Sequence, residues 1–310
     1  MSKIGTFEVP VCCRWCGGTD ITRRGNPDSG KGKTQRYFCK ICMRRFRNGI
    51  TYRSRFEEWV VDRVLSLTTD GSRPCAISHE IARDSDDFLD KKIRISPKTI
   101  PRLVRKYTRI TLQFERLAEP EHMSDLWTID DQFERFPFRG GHKEYWIVNV
   151  LDLCTRYCLV SCVFPSREEY ATVEALKLAI QRAKRVPSRI ICDGYEAQIR
   201  GIKKLLPLAE IDSKSKKESY GHINEIESYN NLLRRSGVSR RGHRSLINLQ
   251  SKLELFRLYY NFLRPHGSLE NKTPASLAGI SYPQTSRWSK LLRFAQWYIH
   301  SRNKSLRPNG

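Results

Sequence analysis

Between residues 122 and 263 the spacing of apolar side chains switches from that of strands to that of alternating helices and strands. That order limits the possible folds more than any other feature. Leu126–Phe133, Tyr145–Leu151 and Tyr157–Phe164 are rich in aromatic and β-branched residues, which pack well on a pleated surface. Asp152-Leu-Cys-Thr-Arg156 reads as a hairpin turn between the last two. Glu168–Lys184 reads as a helix, with acids at its start and bases at its end, as the helix dipole favours. Arg189–Cys192 is a fourth strand, Tyr195–Leu206 a helix, Leu208–Ile211 a short fifth strand, and helices at 222–235 and 246–263 follow. A run of three strands and then alternating helices and strands implies an α/β architecture, a mixed sheet flanked by helices.

Upstream, two short cysteine knuckles, Cys13-Arg-Trp-Cys16 and Cys39-Lys-Ile-Cys42, have twenty-two residues between them. The intervening Gly25-Asn-Pro-Asp-Ser-Gly-Lys-Gly-Lys33 is a solvated, hairpin-forming loop. Four thiolates from two knuckles make a closed tetrahedral site for a structural Zn²⁺, and a module this small needs the metal to fold. Cys12 adjoins the first knuckle, but Cys13 alone gives the two-residue spacing. The other cysteines, Cys75, Cys154, Cys158, Cys162 and Cys192, are scattered through apolar or strand-like context. Free buried thiols belong to a reducing compartment. The opening MSKIGTFEVP has no apolar stretch like that of a signal peptide, and no run of about eighteen apolar residues suggests a membrane span. The expected location is cytoplasmic, nucleoid-associated if DNA is the partner.

Charge points to that partner. The chain has 310 residues and a formal net charge of +23, from 56 basic and 33 acidic side chains. Such an excess favours polyanions, nucleic acid first. Residues 1–56 hold thirteen Lys or Arg against three acids. Between 54 and 110 the sequence reads as helical: Phe56, Trp59, Val60, Val64 and Leu67 recur at helical spacing, and a break follows at Gly71-Ser-Arg-Pro74. Ile77–Ala82 is a second short helix and an Asp-rich polar linker follows it. In the last helix, 96–107, Ser96 is the N-cap and Pro97 the first helical residue. Lys98, Arg102, Arg105 and Lys106 give this helix a basic face, and in a helix-turn-helix it would enter the major groove.

Three acids carry the candidate chemistry. Asp130 closes the apolar-flanked run Leu126-Trp-Thr-Ile129, Asp193 caps the fourth strand, and Glu227 lies in the helix that starts near 222, with thirty-three residues between the last two. Three carboxylates held together can bind two Mg²⁺ or Mn²⁺ ions, which serve both oxygens of a phosphodiester exchange. Two have close rivals: Asp131 adjoins Asp130, and Glu225 is two residues from Glu227. Strand alternation lets only one of Asp130 and Asp131 face a pocket. On a helix Glu225 and Glu227 point about 200° apart. Spacing alone leaves both choices open. Asp152 sits in the hairpin turn and reads as structural, as does His266 in the Arg-Pro-His turn.

These pieces, in this order, resemble the DDE transposases of prokaryotic insertion sequences, within the retroviral-integrase superfamily. Trp127-Thr-Ile-Asp130 resembles the first motif, Ile190-Ile-Cys-Asp193-Gly194 the second, and Asn224-Glu-Ile-Glu227 with Asn231-Leu-Leu-Arg-Arg235 the third. Tyr260-Asn-Phe-Leu-Arg-Pro-His266 and Lys272-Thr-Pro-Ala275 resemble the segment that commonly ends such cores. The resemblance covers about 125–280 and implies a ribonuclease-H-like fold with Asp130, Asp193 and Glu227 as catalytic metal ligands. The choice of Asp130 over Asp131 and of Glu227 over Glu225 rests on it. It implies four parts: a zinc ribbon at 1–53, a helix-turn-helix domain at 54–118, the catalytic core at 122–280 and a basic tail at 281–310. The tail has six bases, no acids, and Trp288, Phe294 and Trp297 at helical spacing.

The activity so implied is metal-dependent cleavage and strand transfer of transposon ends into target DNA by a homo-oligomer on paired ends. Arg44 and Arg45 of the ribbon, Lys98, Arg102 and Arg105 of the third helix, and Arg234 and Arg235 beside the third acid are the expected DNA contacts. The competing expectations are a transposase-derived DNA-binding regulator without cleavage, and a viral or proviral integrase.

Overall fold

The computed structural model describes residues 13, 20–24, 36–47, 56–89, 93–138, 141–213, 224–239 and 245–305. At the amino-terminal end β1 (Ile21–Arg24), β2 (Arg36–Cys39) and β3 (Arg45–Arg47) form an antiparallel three-stranded sheet. Buried Cys13, Cys39 and Phe46 pack at its centre, where Phe46 stacks on Tyr37 with ring centroids 5.6 Å apart.

Three helices follow: α1 (Glu58–Thr69), α2 (Pro74–Leu89) and α3 (Ile100–Leu117). Two expectations need correction here. The Asp-rich stretch after Ala82 is not a linker, because α2 continues through it to Leu89. One of its acids is anchored, Arg63 Nε donating to Asp84 Oδ2 at 2.8 Å, while Asp86 and Asp87 are exposed. The third helix begins at Ile100, with Thr99 as its N-cap and not Ser96. Residues 96–99 form a turn closed by Thr99 N–H on the Ser96 carbonyl at 2.8 Å. The cause is Pro101: a helix running from Pro97 would lack its amide donor at that position, whereas a start at Ile100 puts Pro101 in the first turn, where no donor is needed. Lys98 therefore precedes the helix instead of lying on it.

The main sheet has five strands in the order β6-β5-β4-β7-β8, with β4 (Leu126–Phe138), β5 (Gly141–Asp152), β6 (Cys158–Phe164), β7 (Arg189–Ile191) and β8 (Glu210–Asp212). The first three strands are antiparallel neighbours, and β7 and β8 join parallel to β4. The fifth strand lies two residues later than its apolar pattern suggests, because Leu208 is 98% exposed and the edge pairing uses Ile211 instead. Helices α4 (Glu169–Ala183) and α5 (Glu196–Leu205) connect the parallel strands, and α6 (Asn224–Ser236) and α7 (Leu246–Phe262) follow. This is a mixed, helix-flanked, ribonuclease-H-like α/β core.

Alternation along the strands sends side chains into two separate apolar layers. Trp127, Ile129, Val148 and Val150 belong to the layer that includes α4. Ile147 and Leu151 pack with Ile226, Tyr229 and Leu233 of α6 and Leu253 and Phe256 of α7. The hairpin turn is built by Asp152, which is buried: its carboxylate accepts from Ser124 N–H and Oγ and from Thr155 N–H and Oγ1 at 2.6–2.8 Å.

After the short helix α8 (Pro274–Leu277) the basic tail forms α9 (Trp288–Ser305). The tail packs on the molecule: Trp288 and Phe294 are buried, and Phe294 and Tyr298 meet Phe114 of α3 at 5.5 and 5.3 Å between centroids. A buried ionic group joins α3 to the core. Arg257 on α7 spans both oxygens of Glu115 at 2.6 Å and reaches Glu254 at 2.9 Å, while Arg182 donates to Glu254 at 2.8 Å. Burial alone would push Glu115 up, but the Arg257 guanidinium overcomes this and holds it below the usual carboxylate range.

Candidate metal and strand-transfer site

Asp130 sits near the middle of β4, directly across from Asn149 on β5. The parallel register of β4 and β7 pairs Thr128 with Ile191, so two residues further along it brings Asp130 beside Asp193. Just past β7, Gly194 adopts φ +86°, a conformation that suits glycine. The Tyr195 amide then turns back onto Asp193 Oδ1 at 3.0 Å. Helix α6 approaches from the opposite face to α4. Its Asn230, 1% exposed, donates Nδ2 to Asp130 Oδ2 at 2.8 Å and accepts at Oδ1 from Asn149 Nδ2 at 2.7 Å. Two strands and a helix are thus tied together at the Asn230 amide.

That bond orients the two glutamates of α6. Glu227 is one turn from Asn230, about 60° away around the helix, whereas Glu225 is about 140° away. Glu227 is exposed. Glu225 turns to Arg156, whose Nη2 donates to Glu225 Oε1 at 3.3 Å and whose Nη1 donates to Ser268 Oγ at 3.0 Å. Arg156, with φ 58° in the β5–β6 turn, engages Glu225 in a tie between that turn, α6 and the 3₁₀ turn at Gly267–Leu269.

Asp130 and Asp131 have different surroundings. Burial, followed by repulsion from Asp131 and Asp193, pushes Asp130 up to about 7. Asp131 lies on the other face of β4, its side chain only 4% exposed, and takes a 2.6 Å bond from Arg167 Nε. Burial still keeps its pKa above the usual range. Arg167 Nη2 also reaches Asp193 Oδ2 at 2.7 Å. Burial and the repulsion of Asp131 and Asp193 raise Asp130 to about 7, and a hard divalent cation at these carboxylates would offset that cost. Asp130, Asp193 and, one helical turn from Asn230, Glu227 are the residues that would hold such ions.

Asn230, Asn149 and Arg167 have no counterpart in the sequence reading. Asn230 had a usable signal, lying three residues after Glu227 and so on nearly the same helix face. Arg167 had none, since an Arg just before a helix reads as loop charge. His266 is a buried structural group, its Nε2 3.4 Å from the Tyr260 carbonyl and its ring edge-on to Tyr260 at 4.4 Å.

Of the expected DNA contacts, Arg44, Arg45, Arg102, Arg234 and Arg235 are exposed and Arg105 is half-buried. Along α3 the exposed bases are Arg102, Lys106, Arg109 and Arg116, which fall on one face. In the ribbon the sulfurs of Cys13, Cys39 and Cys42 lie within 4.8 Å of one another, with Cys13 Sγ and Cys42 Sγ 3.5 Å apart. The expected fourth ligand, Cys16, lies outside the described residues, as do Lys214, Lys216, Lys217, Arg240, Arg241 and Arg244. No helix among the described residues is long and apolar enough to cross a membrane.

Residues 224–274 match the family model described as "Integrase core domain". That segment starts with α6, which carries Glu227 and Asn230, and reaches the first residue of α8. No curated protein matches the chain. Among solved structures the chain is similar to one from the cryoEM structure of the simian T-cell lymphotropic virus intasome in complex with PP2A regulatory subunit B56 gamma, at 12% identity and a TM-score of 0.39, over 68% of this chain and 75% of that one. A likeness that weak carries no argument. The family match supports a role of the integrase and transposase kind, in DNA recombination.

Proposed function

We propose that this chain is a DDE-type transposase that cleaves the ends of an insertion sequence and joins them to target DNA. The observation that carries the reading is the Asn230–Asp130 bond. It fastens the helix bearing Glu227, which lies in the segment that matches the integrase core, to the strand bearing Asp130, beside Asp193. Asp130, Asp193 and Glu227 would ligate two Mg²⁺ or Mn²⁺ ions. Bound there, the ions supply activation of the attacking oxygen and stabilisation of the leaving one. The protein's part is to fix the carboxylates: Asn230 and the Asp131 amide hold one oxygen each of Asp130, and Arg167 and the Tyr195 amide hold one each of Asp193. Each oxygen keeps a lone pair for a metal. No covalent link between protein and DNA is needed, because water and then the freed 3′-hydroxyl are the nucleophiles.

The basic surfaces bring DNA to that site. Arg102, Lys106, Arg109 and Arg116 line the outer face of α3, whose other side is buried against the core and α9. Arg234 and Arg235 end the helix that bears Glu227. Arg44 and Arg45 project from the ribbon, for which Cys13, Cys16, Cys39 and Cys42 would supply the Zn²⁺ site. Phosphate contacts of this kind give binding that falls steeply with salt. Two ends must be held together during joining, so the active species is a homo-oligomer.

The test is cleavage and strand transfer on the terminal repeats flanking the gene, with Mg²⁺. Asp130→Ala and Asp193→Asn abolish both steps and leave end binding intact. Metal-dependent cleavage that survives in Asp193→Asn overturns the assignment. End binding by the wild type without any cleavage identifies a DNA-binding regulator instead.

A further inference from the structure

Arg167 lies in the loop just before α4 and makes four contacts that converge on its guanidinium. Nε donates to Asp131 Oδ2 at 2.6 Å and Nη2 to Asp193 Oδ2 at 2.7 Å. The guanidinium carbon lies 3.8 Å from the centre of the Tyr195 ring and 5.2 Å from that of Trp146. A surface arginine with one ion pair is loosely held, because side-chain entropy opposes the pairing. A planar fork between two carboxylates with aromatic rings alongside has one geometry. The anchor is Asp131, on the face of β4 away from Asp130 and nearly inaccessible to water. The free end of the fork rests on Asp193, whose side chain is 29% exposed.

We propose that Arg167 is a positioning residue for Asp193, with Asp131 as its anchor. This rests on the reading of Asp193 as a metal ligand. Asp193 lies two residues past the end of β7, next to the Gly194 turn, so its backbone alone leaves its side chain free to rotate. With Oδ1 on the Tyr195 amide and Oδ2 on Arg167, the carboxylate is held in one orientation before a cation arrives. Asp131 is thereby matched by a positive charge and withheld from ligation. The adjacent acid is thus the support of the Asp193 ligand, and a pair of adjacent aspartates divides into one ligand and one anchor.

Charge and positioning predict opposite results for simple removal of Arg167, since loss of a cation favours metal binding by Coulomb attraction alone. The decisive variants therefore keep the net charge: Arg167→Lys, and the double variant Asp131→Asn with Arg167→Met. The experiment is Mn²⁺ titration of the full chain without DNA, following free Mn²⁺ by electron paramagnetic resonance. Thermal unfolding of the metal-free proteins is measured alongside. Both charge-conserving variants should bind Mn²⁺ about tenfold or more weakly, the usual scale for losing a group that orients a ligand. Wild-type affinity in either one, with folding intact, overturns the inference.

If a buried replacement fails to fold, exposed Tyr195→Leu decides. It removes the ring beside the guanidinium, and weaker Mn²⁺ binding supports the role while unchanged binding overturns it. The metal-site reading itself is tested separately, by wild-type Mn²⁺ binding that Asp130→Asn abolishes. Its absence overturns both readings, whereas its presence with unaltered Arg167 variants overturns only this one.

Discussion

Asn230 donates a 2.8 Å hydrogen bond to Asp130 from a helix one hundred residues later in the chain, and that bond fixes how α6 faces the sheet. Asn230 is buried and also receives the Asn149 amide, so its two polar atoms are both used. Asn230→Leu leaves the Asn149 amide and one oxygen of Asp130 without partners in a dry setting. The expected cost is about 2–3 kcal/mol by urea unfolding. Mn²⁺ binding should weaken about tenfold to a hundredfold. Stability unchanged within about 0.5 kcal/mol would contradict the buried role.

The protonation of Asp130 gives a pH dependence with a definite sign. Its folded pKa of about 7 lies above the ordinary carboxylate value, with burial the largest cause. The folded chain holds this proton more tightly than the unfolded chain does. The contribution is fully present below about pH 4, is lost as pH rises to about 7, and levels off above that. Metal binding requires the carboxylate, so Mn²⁺ affinity should climb as pH rises towards 7 and then flatten. Asp130→Asn should remove this loss of metal-free stability as pH rises from about 4 to 7. Parallel stability curves for the two proteins between pH 4 and 7 would refute the shift.

The strand order was legible because period-two runs, turn residues and strand-end acids are local signals. What was not legible depends on contacts between distant segments. Nothing near Arg167 announces that Asp131, Asp193 and Tyr195 converge on it, and Asn230 looks like an ordinary polar helix residue until α6 is placed on β4. Spacing left Glu225 and Glu227 open, and it is the Asn230 bond and the Arg156 pairing that separate their surroundings. The start of α3 was misread because Ser96-Pro97 is as good a local start signal as Thr99-Ile-Pro101. No local pattern marks Glu115, Glu254 and Arg257 as buried, which all three are.

That buried group gives a stability prediction. Arg257→Met leaves Glu115 with the Tyr157 hydroxyl but without its guanidinium, and Glu254 with Arg182 and Gln250, and should cost about 3–5 kcal/mol. Combining it with Glu115→Leu removes the stranded charge and should recover a large part of the loss. Because Glu115 is on α3 and Arg257 on α7, α3 and the core should unfold in one transition in the wild type. Two separable transitions in calorimetry of the wild type would show that the pair does not couple them.

The ribbon predicts a metal requirement separate from catalysis. Cys13, Cys39 and Cys42 converge, and a three-stranded sheet whose described residues bury only Cys13, Cys39 and Phe46 is too small to hold itself together by packing. Zinc chelation should abolish the near-ultraviolet signal of Tyr37 and Phe46 and weaken DNA-end binding. The unfolding midpoint of the core should stay within a few degrees. Cys39→Ser should reproduce the effect without chelator. Stoichiometric zinc retained by Cys39→Ser would contradict the ligand set.

A last prediction concerns Gly71, in the turn between α1 and α2. Its φ is +76°, and a Cβ built there would lie 1.8 Å from the Ser236 carbonyl oxygen at the end of α6. That contact is with backbone, which cannot rotate aside, so Gly71→Ala faces both an unfavourable dihedral and a clash. The dihedral alone costs about 1–2 kcal/mol, and relief of the clash requires α1 or the end of α6 to move. Since α6 also carries Glu227 and Asn230, the substitution should lower stability by more than about 2 kcal/mol and also weaken Mn²⁺ binding, although Gly71 is remote in sequence from Asp130, Asp193 and Glu227. Asn at the same position relieves the dihedral but keeps the Cβ. Asn as harmful as Ala assigns the effect to the close approach of the two backbones, whereas clear rescue by Asn assigns it to the dihedral.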